Sequence, residues 1–409
     1  MRIAYICADP GIPVFGSKGA SVHVQEILRG LLKRGVDITL YAQRPGNAIP
    51  DEFRAITLQP LPGLPSAASA EARARQALEN NVALSAQLAN AAPYDAIYER
   101  YSLWSDAGMA FARRAGIPGI LEVNSPLLEE QRIYRELPLE QEAERVLRTV
   151  LSDADTVIAV SPGVKSWLST FTSSTSHIHV VANGVNLARF AVPRASHSQM
   201  TIGFLGTLKP WHGLHSLAAA FTLLCARGSN AQLSIIGDGP ELSAIRHQLQ
   251  RQGLLPYVRF SGAVPPDQVP ALLAEMDIAV APYPQLAGFY FSPLKIYEYM
   301  AAGLPIITTR VGHLADVITA EKTGLLVDPD SPPALCAALE RLLADKTLRL
   351  TLGAAGREKA EQEHSWDSVI AKIWRLAGLP SKAETPYHKP TGAMSSALFY
   401  PISLSSVNC

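Results

Sequence analysis

Short apolar runs rich in β-branched residues alternate along the chain with longer segments whose apolar residues recur every three or four positions. This is the rhythm of strands and helices laid into a parallel sheet. It occurs in two series. In the first, residues 2–8, 37–42, 96–98, 119–123, 156–160 and 177–181 predict strands. Between them, Val22, Ile27, Leu28, Leu31 and Leu32 share one face of a helix over 22–33 that stops before Gly35, and the Ala-rich stretch 67–90 predicts another helix. After Asn183-Gly184-Val185 the rhythm restarts with strands over 201–205, 232–236, 258–261, 278–281 and 305–308.

The expected organisation is therefore a domain over 1–190, a second over 191–363, a terminal helix over 364–379 that crosses back to the first, and a disordered tail over 380–409. The boundary is expected near residue 195, within a polar, proline-bearing stretch over 191–198. Both halves predict doubly wound α/β sheets, whose strand ends would face one crevice and bind a ligand there.

Composition narrows the choice of ligand. The 409 residues are 48% hydrophobic and 18% charged, enough apolar material for two cores. Lys plus Arg and Asp plus Glu both number 36, so no global positive field exists to hold a nucleic acid. The first apolar run meets Asp9-Pro10 too early for a signal sequence, and no window reaches the roughly 20 apolar residues that span a bilayer. The four cysteines lie far apart without metal or redox spacing, which with the preceding points gives a cytoplasmic expectation. Residues 129–148 balance arginines against glutamates and read as a solvated face; peripheral membrane contact stays open.

The candidate chemistry sits mainly in the second half. Strand 201–205 runs into Gly206-Thr207-Leu208-Lys209-Pro210-Trp211-His212-Gly213, which is either a phosphate cradle assisted by Lys209 or an ordinary turn with a surface lysine. Gly237-Asp238-Gly239-Pro240-Glu241 is a tight turn opening a helix, and Arg259 to Val264 ends a strand where a nucleobase edge could be read. In Ser292-Pro293-Leu294-Lys295-Ile296-Tyr297-Glu298, Ser292 is the expected N-cap and Pro293 the first helical residue. Free amides at Leu294 and Lys295 would then take a diphosphate, and Glu298, one turn on, a ribose. A surface Lys295–Glu298 ion pair is the plain alternative.

In the first half, Gly16, Lys18 and Gly19 form a glycine loop opening the first helix, so that its amides could approach a sugar or diphosphate from the other side. His23, one turn further, is a core, capping or substrate histidine. Glu99-Arg100 and Glu122-Val123-Asn124 end strands and are candidate acceptor walls; ordinary strand-end polarity is the alternative.

These landmarks, in this order and together with Val181 to Asn186 and Glu298-Tyr299-Met300-Ala301-Ala302-Gly303-Leu304-Pro305, resemble the family-4 retaining glycosyltransferases of the GT-B fold over residues 1 to about 378. The resemblance implies two Rossmann-like domains around a cleft, a nucleotide diphosphate sugar (a UDP-sugar) held mainly by the second, and a hydroxyl acceptor, small molecule or glycan, held mainly by the first. It implies no cofactor and no metal. Lys209, Lys295 and Glu298 are then catalytic, with Gly16, Lys18, Gly19, Gly206, Thr207, His212, Gly237, Arg259, Val264, Ser292, Pro293 and Leu294 on the donor and His23, Glu99, Arg100 and Asn124 on the acceptor side. The chain departs from the family where Thr207 and His212 replace an arginine and a lysine, Tyr290 replaces the first of two glutamates, and Asn124 stands near a usual histidine. A nucleotide-sugar 2-epimerase of the same fold and a catalytically silent nucleotide-sugar-binding protein are the competing readings. No GxGxxG follows the first strand, which argues against an oxidoreductase.

Overall fold

The computed structural model describes residues 1–46, 48–66, 69–91, 93–193, 199–286, 290 and 292–380. The segments expected as linker core (194–198) and tail (381–409), and Phe289 and Phe291, lie outside these residues.

Two all-parallel sheets are present. The first contains β1 (Arg2–Cys7), β2 (Asp37–Ala42), β3 (Thr57–Pro60), β4 (Ala96–Arg100), β5 (Gly119–Val123), β6 (Thr156–Ala159) and β7 (Ile178–Val180) in the order β3-β2-β1-β4-β5-β6-β7. The second contains β8 (Thr201–Leu205), β9 (Gln232–Ile236), β10 (Val258–Gly262), β11 (Ile278–Ala281), β12 (Ile306–Thr309) and β13 (Leu325–Val327) in the order β10-β9-β8-β11-β12-β13. Helices cover both faces, so the central strands are buried on both sides and read as continuous apolar runs. The edge strands β3 and β13 escape sequence reading, because β3 is half-exposed and ends in a proline and β13 has only three residues.

Strand order reverses between β1 and β4 in one sheet and between β8 and β11 in the other. At such a switch point the connections leave to opposite faces and open a crevice at the carboxyl ends. The first helix, Gly19–Lys33, follows β1, and the helix Leu294–Ala301 follows β11. The first helix begins three residues earlier than its apolar periodicity indicates.

The terminal helix, Trp366–Leu376, is capped by Ser365, whose hydroxyl accepts from the Ser368 amide. Val185 and His364–Trp366 exchange backbone bonds beside it. Its Val369, Ile370 and Ile373 join Val24, Ile27 and Leu31 of the first helix in one core, each such side chain contributing about 1.5–3 kcal/mol on burial. Gly30 makes this close crossing possible, since a β-carbon there would collide with Ile370. No helix among the described residues is long and apolar enough to cross a membrane.

Candidate active site

Three glycines with left-handed backbone end adjacent strands of the second sheet: Gly206 (φ 141°), Gly237 (φ 130°) and Gly262 (φ 67°). The Gly206 amide donates to the Ile236 carbonyl at 2.9 Å and the Gly237 amide to the Gly262 carbonyl at 2.8 Å. The strand ends pass so closely that a β-carbon on Gly237 would overlap the Gly206 carbonyl. Beyond them Leu208 donates to the Asp238 carbonyl and accepts from the Glu241 amide, both at 3.0 Å. The turn 237–241 thus clamps the loop carrying Thr207 and Lys209. Because the Gly237 amide is already engaged, this residue shapes the site and does not offer its N–H to a ligand.

Lys295 is buried, its ammonium 4.2 Å from the Phe204 ring centroid and 5.3 Å from that of Tyr283, directly beneath Gly206. Nζ has no hydrogen-bond partner among the described residues. Burial pushes the amine down to about 7, with the nearby Glu298 charge opposing. Burial likewise pushes the Glu298 carboxyl up to about 7, against Arg189 and Lys295. The two groups are no surface ion pair. A cation buried without a hydrogen-bond partner is costly, which makes the position beneath Gly206 receptive to negative charge.

The start of this helix differs from expectation. Pro293 is the cap position and Leu294 the first helical residue. The Leu294 amide donates to the Ser292 carbonyl and the Ile296 amide to the Pro293 carbonyl, both at 2.9 Å, so Leu294 has no free N–H for a diphosphate. The Ser292 hydroxyl accepts instead from the Asn183 amide at 3.3 Å. Pro293 has a non-helical ψ of 80°, so the helix starts one residue later than a cap at Ser292 would place it. Across the cleft, Gly19 lies against Leu294, 3.9 Å from its Cδ1 if given a β-carbon. Gly16 turns back on Pro13 through its amide (3.0 Å) and is held by the Gln25 side chain at 2.8 Å, while Lys18 stays exposed at the helix start.

Of the remaining donor-side residues, Thr207 is exposed and its carbonyl bonds His212 Nδ1. Burial, and then the Lys295 charge, depress the His212 imidazole to about 3, so it is neutral and supplies no positive charge. Lys209 reaches over the Trp211 ring at 5.7 Å. Arg259 lies on edge strand β10 and is paired with Glu275 at 2.6 Å, and Val264 packs against the second-half core.

The acceptor-side expectation is corrected most. Glu99 is fully buried, accepting from the Ser105 hydroxyl at 2.5 Å and the Met109 amide at 3.2 Å. Burial raises its carboxyl to about 8, with those two donors opposing. It belongs to the first-half core because β4 is covered on both faces. His23 Nε2 lies 2.5 Å from Glu122 Oε1, and the Tyr98 hydroxyl donates to Oε2 at 3.0 Å. Burial opposes ionisation of Glu122, but His23, Arg100 and Tyr98 outweigh it and hold the carboxyl at about 2. Arg100 is thereby a buried counter-charge. Asn124, whose amide bonds Glu122 at 3.3 Å, is the outermost member of this network.

The open volume lies elsewhere, in a cleft of about 940 Å³ between the two halves. Asp9, Arg73, Ser102, Trp104, Glu130 and Arg135 line it from the first half, and Lys209, Trp211, Pro240 and Tyr290 from the second. Residues 130–136 therefore include cleft wall and are not wholly solvated surface. Tyr290 is anchored to the first half twice, its carbonyl accepting from the Ser161 hydroxyl at 2.5 Å and its hydroxyl donating to Glu130 at 2.9 Å. Sequence reading missed Arg73, Trp104, Glu130 and Ser161, none of which stands in a motif.

The family description "Glycosyltransferase Family 4" matches residues 17–189, and "Glycosyl transferases group 1" matches residues 199–345. A GDP-mannose-dependent α-(1-6)-phosphatidylinositol monomannoside mannosyltransferase of Mycobacterium tuberculosis is 30% identical over 56% of this chain. The chain spans 63% of that relative's length. A D-inositol 3-phosphate glycosyltransferase of Corynebacterium glutamicum is 26% identical over 88% of this chain and 91% of its own. Among solved structures, Anabaena HepE in complex with UDP superposes with a TM-score of 0.67 at 18% identity, over 92% of this chain and all of that one. With the two matches covering its two halves in order on a GT-B fold, the chain belongs to the group-1, family-4 glycosyltransferases.

Proposed function

We propose that the protein is a retaining glycosyltransferase that moves a sugar from a nucleoside diphosphate sugar, a UDP-sugar in this reading, to a hydroxyl acceptor. The observation that carries it is the buried Lys295 ammonium, without a hydrogen-bond partner among the described residues, at the switch point of the second sheet. A diphosphate seated above Gly206 supplies the missing negative charge. Lys295 then stabilises the leaving phosphate as the sugar–phosphate bond lengthens, with Lys209 adding charge from the loop. Glu298, one turn along the helix, accepts from the ribose hydroxyls. The donor's C1–O(phosphate) bond breaks, the acceptor oxygen bonds C1 on the same face, and its proton passes to the departing phosphate oxygen. No protein base is needed, and with side-chain cations neutralising the diphosphate no divalent metal is needed either.

The 940 Å³ cleft beyond the donor favours transfer to an acceptor over epimerisation of the donor alone. UDP is the nucleotide bound in HepE and GDP-mannose the donor named for the mannosyltransferase relative, so thermal unfolding with uridine and guanosine nucleotides decides the base. UDP and UDP-sugars are expected to raise the midpoint more than GDP-mannose, and Lys295→Met or Glu298→Ala to abolish that rise. Normal UDP stabilisation of both variants would overturn the site, and stabilisation without turnover over a broad acceptor panel would make the protein a binding protein.

A further inference from the structure

A smaller cavity of about 150 Å³ opens off the first-half wall of the cleft and shares most of its wall with it, polar residues such as Arg73, Gln131 and Glu136 included. Its lining is largely apolar, with Leu64, Ala74, Leu137 and Pro138 its own and Ala70 and Leu103 shared with the cleft. The hollow has a local cause. The helix Ala70–Ala91 presents alanines at positions 70 and 74, one turn apart on the same face, where larger side chains would fill the space. An apolar cavity of about this size is large enough to hold a benzene ring.

The mouth carries one charge of each sign, Arg73 and Glu136, neither ion-paired among the described residues. It asks no net charge of what passes. Trp104 borders both volumes and offers a ring for stacking. Lys209 and Trp211 stand across the cleft on the donor side, so a molecule with one end in the annex extends toward the transferring sugar.

We propose that this annex is an acceptor subsite for an uncharged apolar group about the size of one six-membered ring. The acceptor is then an amphiphile whose ring enters between Ala70 and Leu137 while its hydroxyl remains in the cleft. The role as acceptor rests on the glycosyltransferase reading; the binding of the ring does not.

The test uses 4-fluorobenzyl alcohol as the probe, read by ligand-observed fluorine NMR on the full chain with and without saturating UDP. The wild-type protein is expected to broaden the probe resonance in both conditions. Ala70→Phe, a half-buried position that admits a larger side chain, should weaken binding at least tenfold at an unchanged UDP-induced midpoint shift. Leu137→Ala should weaken it several-fold by removing contacts, an independent readout should the first variant fold poorly. No broadening with wild-type protein, or broadening unaffected by both substitutions, overturns the proposal. Failure of UDP to raise the unfolding midpoint would overturn the donor reading alone, because the probe measurement without UDP stands separately.

Discussion

The Tyr290 hydroxyl donates to the Glu130 carboxylate at 2.9 Å across the cleft, joining residues 160 positions apart in the chain. Where the resemblance to the family leads to an expected glutamate, the chain has a phenol that meets a carboxylate from the facing half. A glutamate at 290 would direct a second negative charge toward Glu130. Tyr290→Phe is expected to lower the unfolding free energy by about 1 kcal/mol, the loss of one half-exposed bond to a charged group. Tyr290→Glu should cost more, and Glu130→Gln in that background should restore stability. Chemical denaturation of the four proteins checks this, and a Tyr290→Glu variant as stable as Tyr290→Phe would show that the pairing does not govern the position.

Lys295 and Glu298 give the site a pH signature. The amine's folded value, about 7, lies below its ordinary 10.5, so unfolding takes up a proton between those limits and this group's contribution to stability rises with pH from about 7 to 10.5. The carboxyl's folded value, about 7, lies above its ordinary 4.5, so its contribution falls as pH rises from 4.5 to about 7. Together they place a stability minimum near neutrality. A bound diphosphate favours the protonated amine, so UDP binding at pH 8 should take up close to one proton and at pH 6 far less. Titration calorimetry in two buffers of different ionisation enthalpy measures this, and Lys295→Met should remove the uptake.

The glycine ends of the second sheet are expected to differ in tolerance. Gly237→Ala forces a β-carbon into the Gly206 carbonyl at a φ of 130° and should cost roughly 3 kcal/mol or more, with loss of nucleotide binding as the 206–209 loop shifts. Gly262→Ala meets nothing within 4 Å and carries only the left-handed penalty, about 1 kcal/mol. Equal midpoints for the two variants would contradict the interlocked strand ends described above.

Local sequence determined a large part of this protein, because strand and helix periodicity depends only on neighbours along the chain. The alternation of apolar runs carried the two sheets, their central strands and the helix following β11, and the Lys295–Glu298 spacing follows from one helical turn. Periodicity is silent on which face of a doubly covered strand a polar side chain takes. Glu99 and Glu122 therefore read as cleft residues, and only the packing of helices on both faces turned them inward to Ser105 and to His23. Arg73, Trp104, Glu130 and Tyr290 share one cleft because the two halves meet there, and such contacts carry no short-range signal. The non-helical ψ of Pro293 moved the helix start past Ser292, and the lack of a hydrogen-bond partner for Lys295 arose from burial beneath Gly206. Both are consequences of three-dimensional closure, which fixes solvation and charge environment where sequence fixes only order.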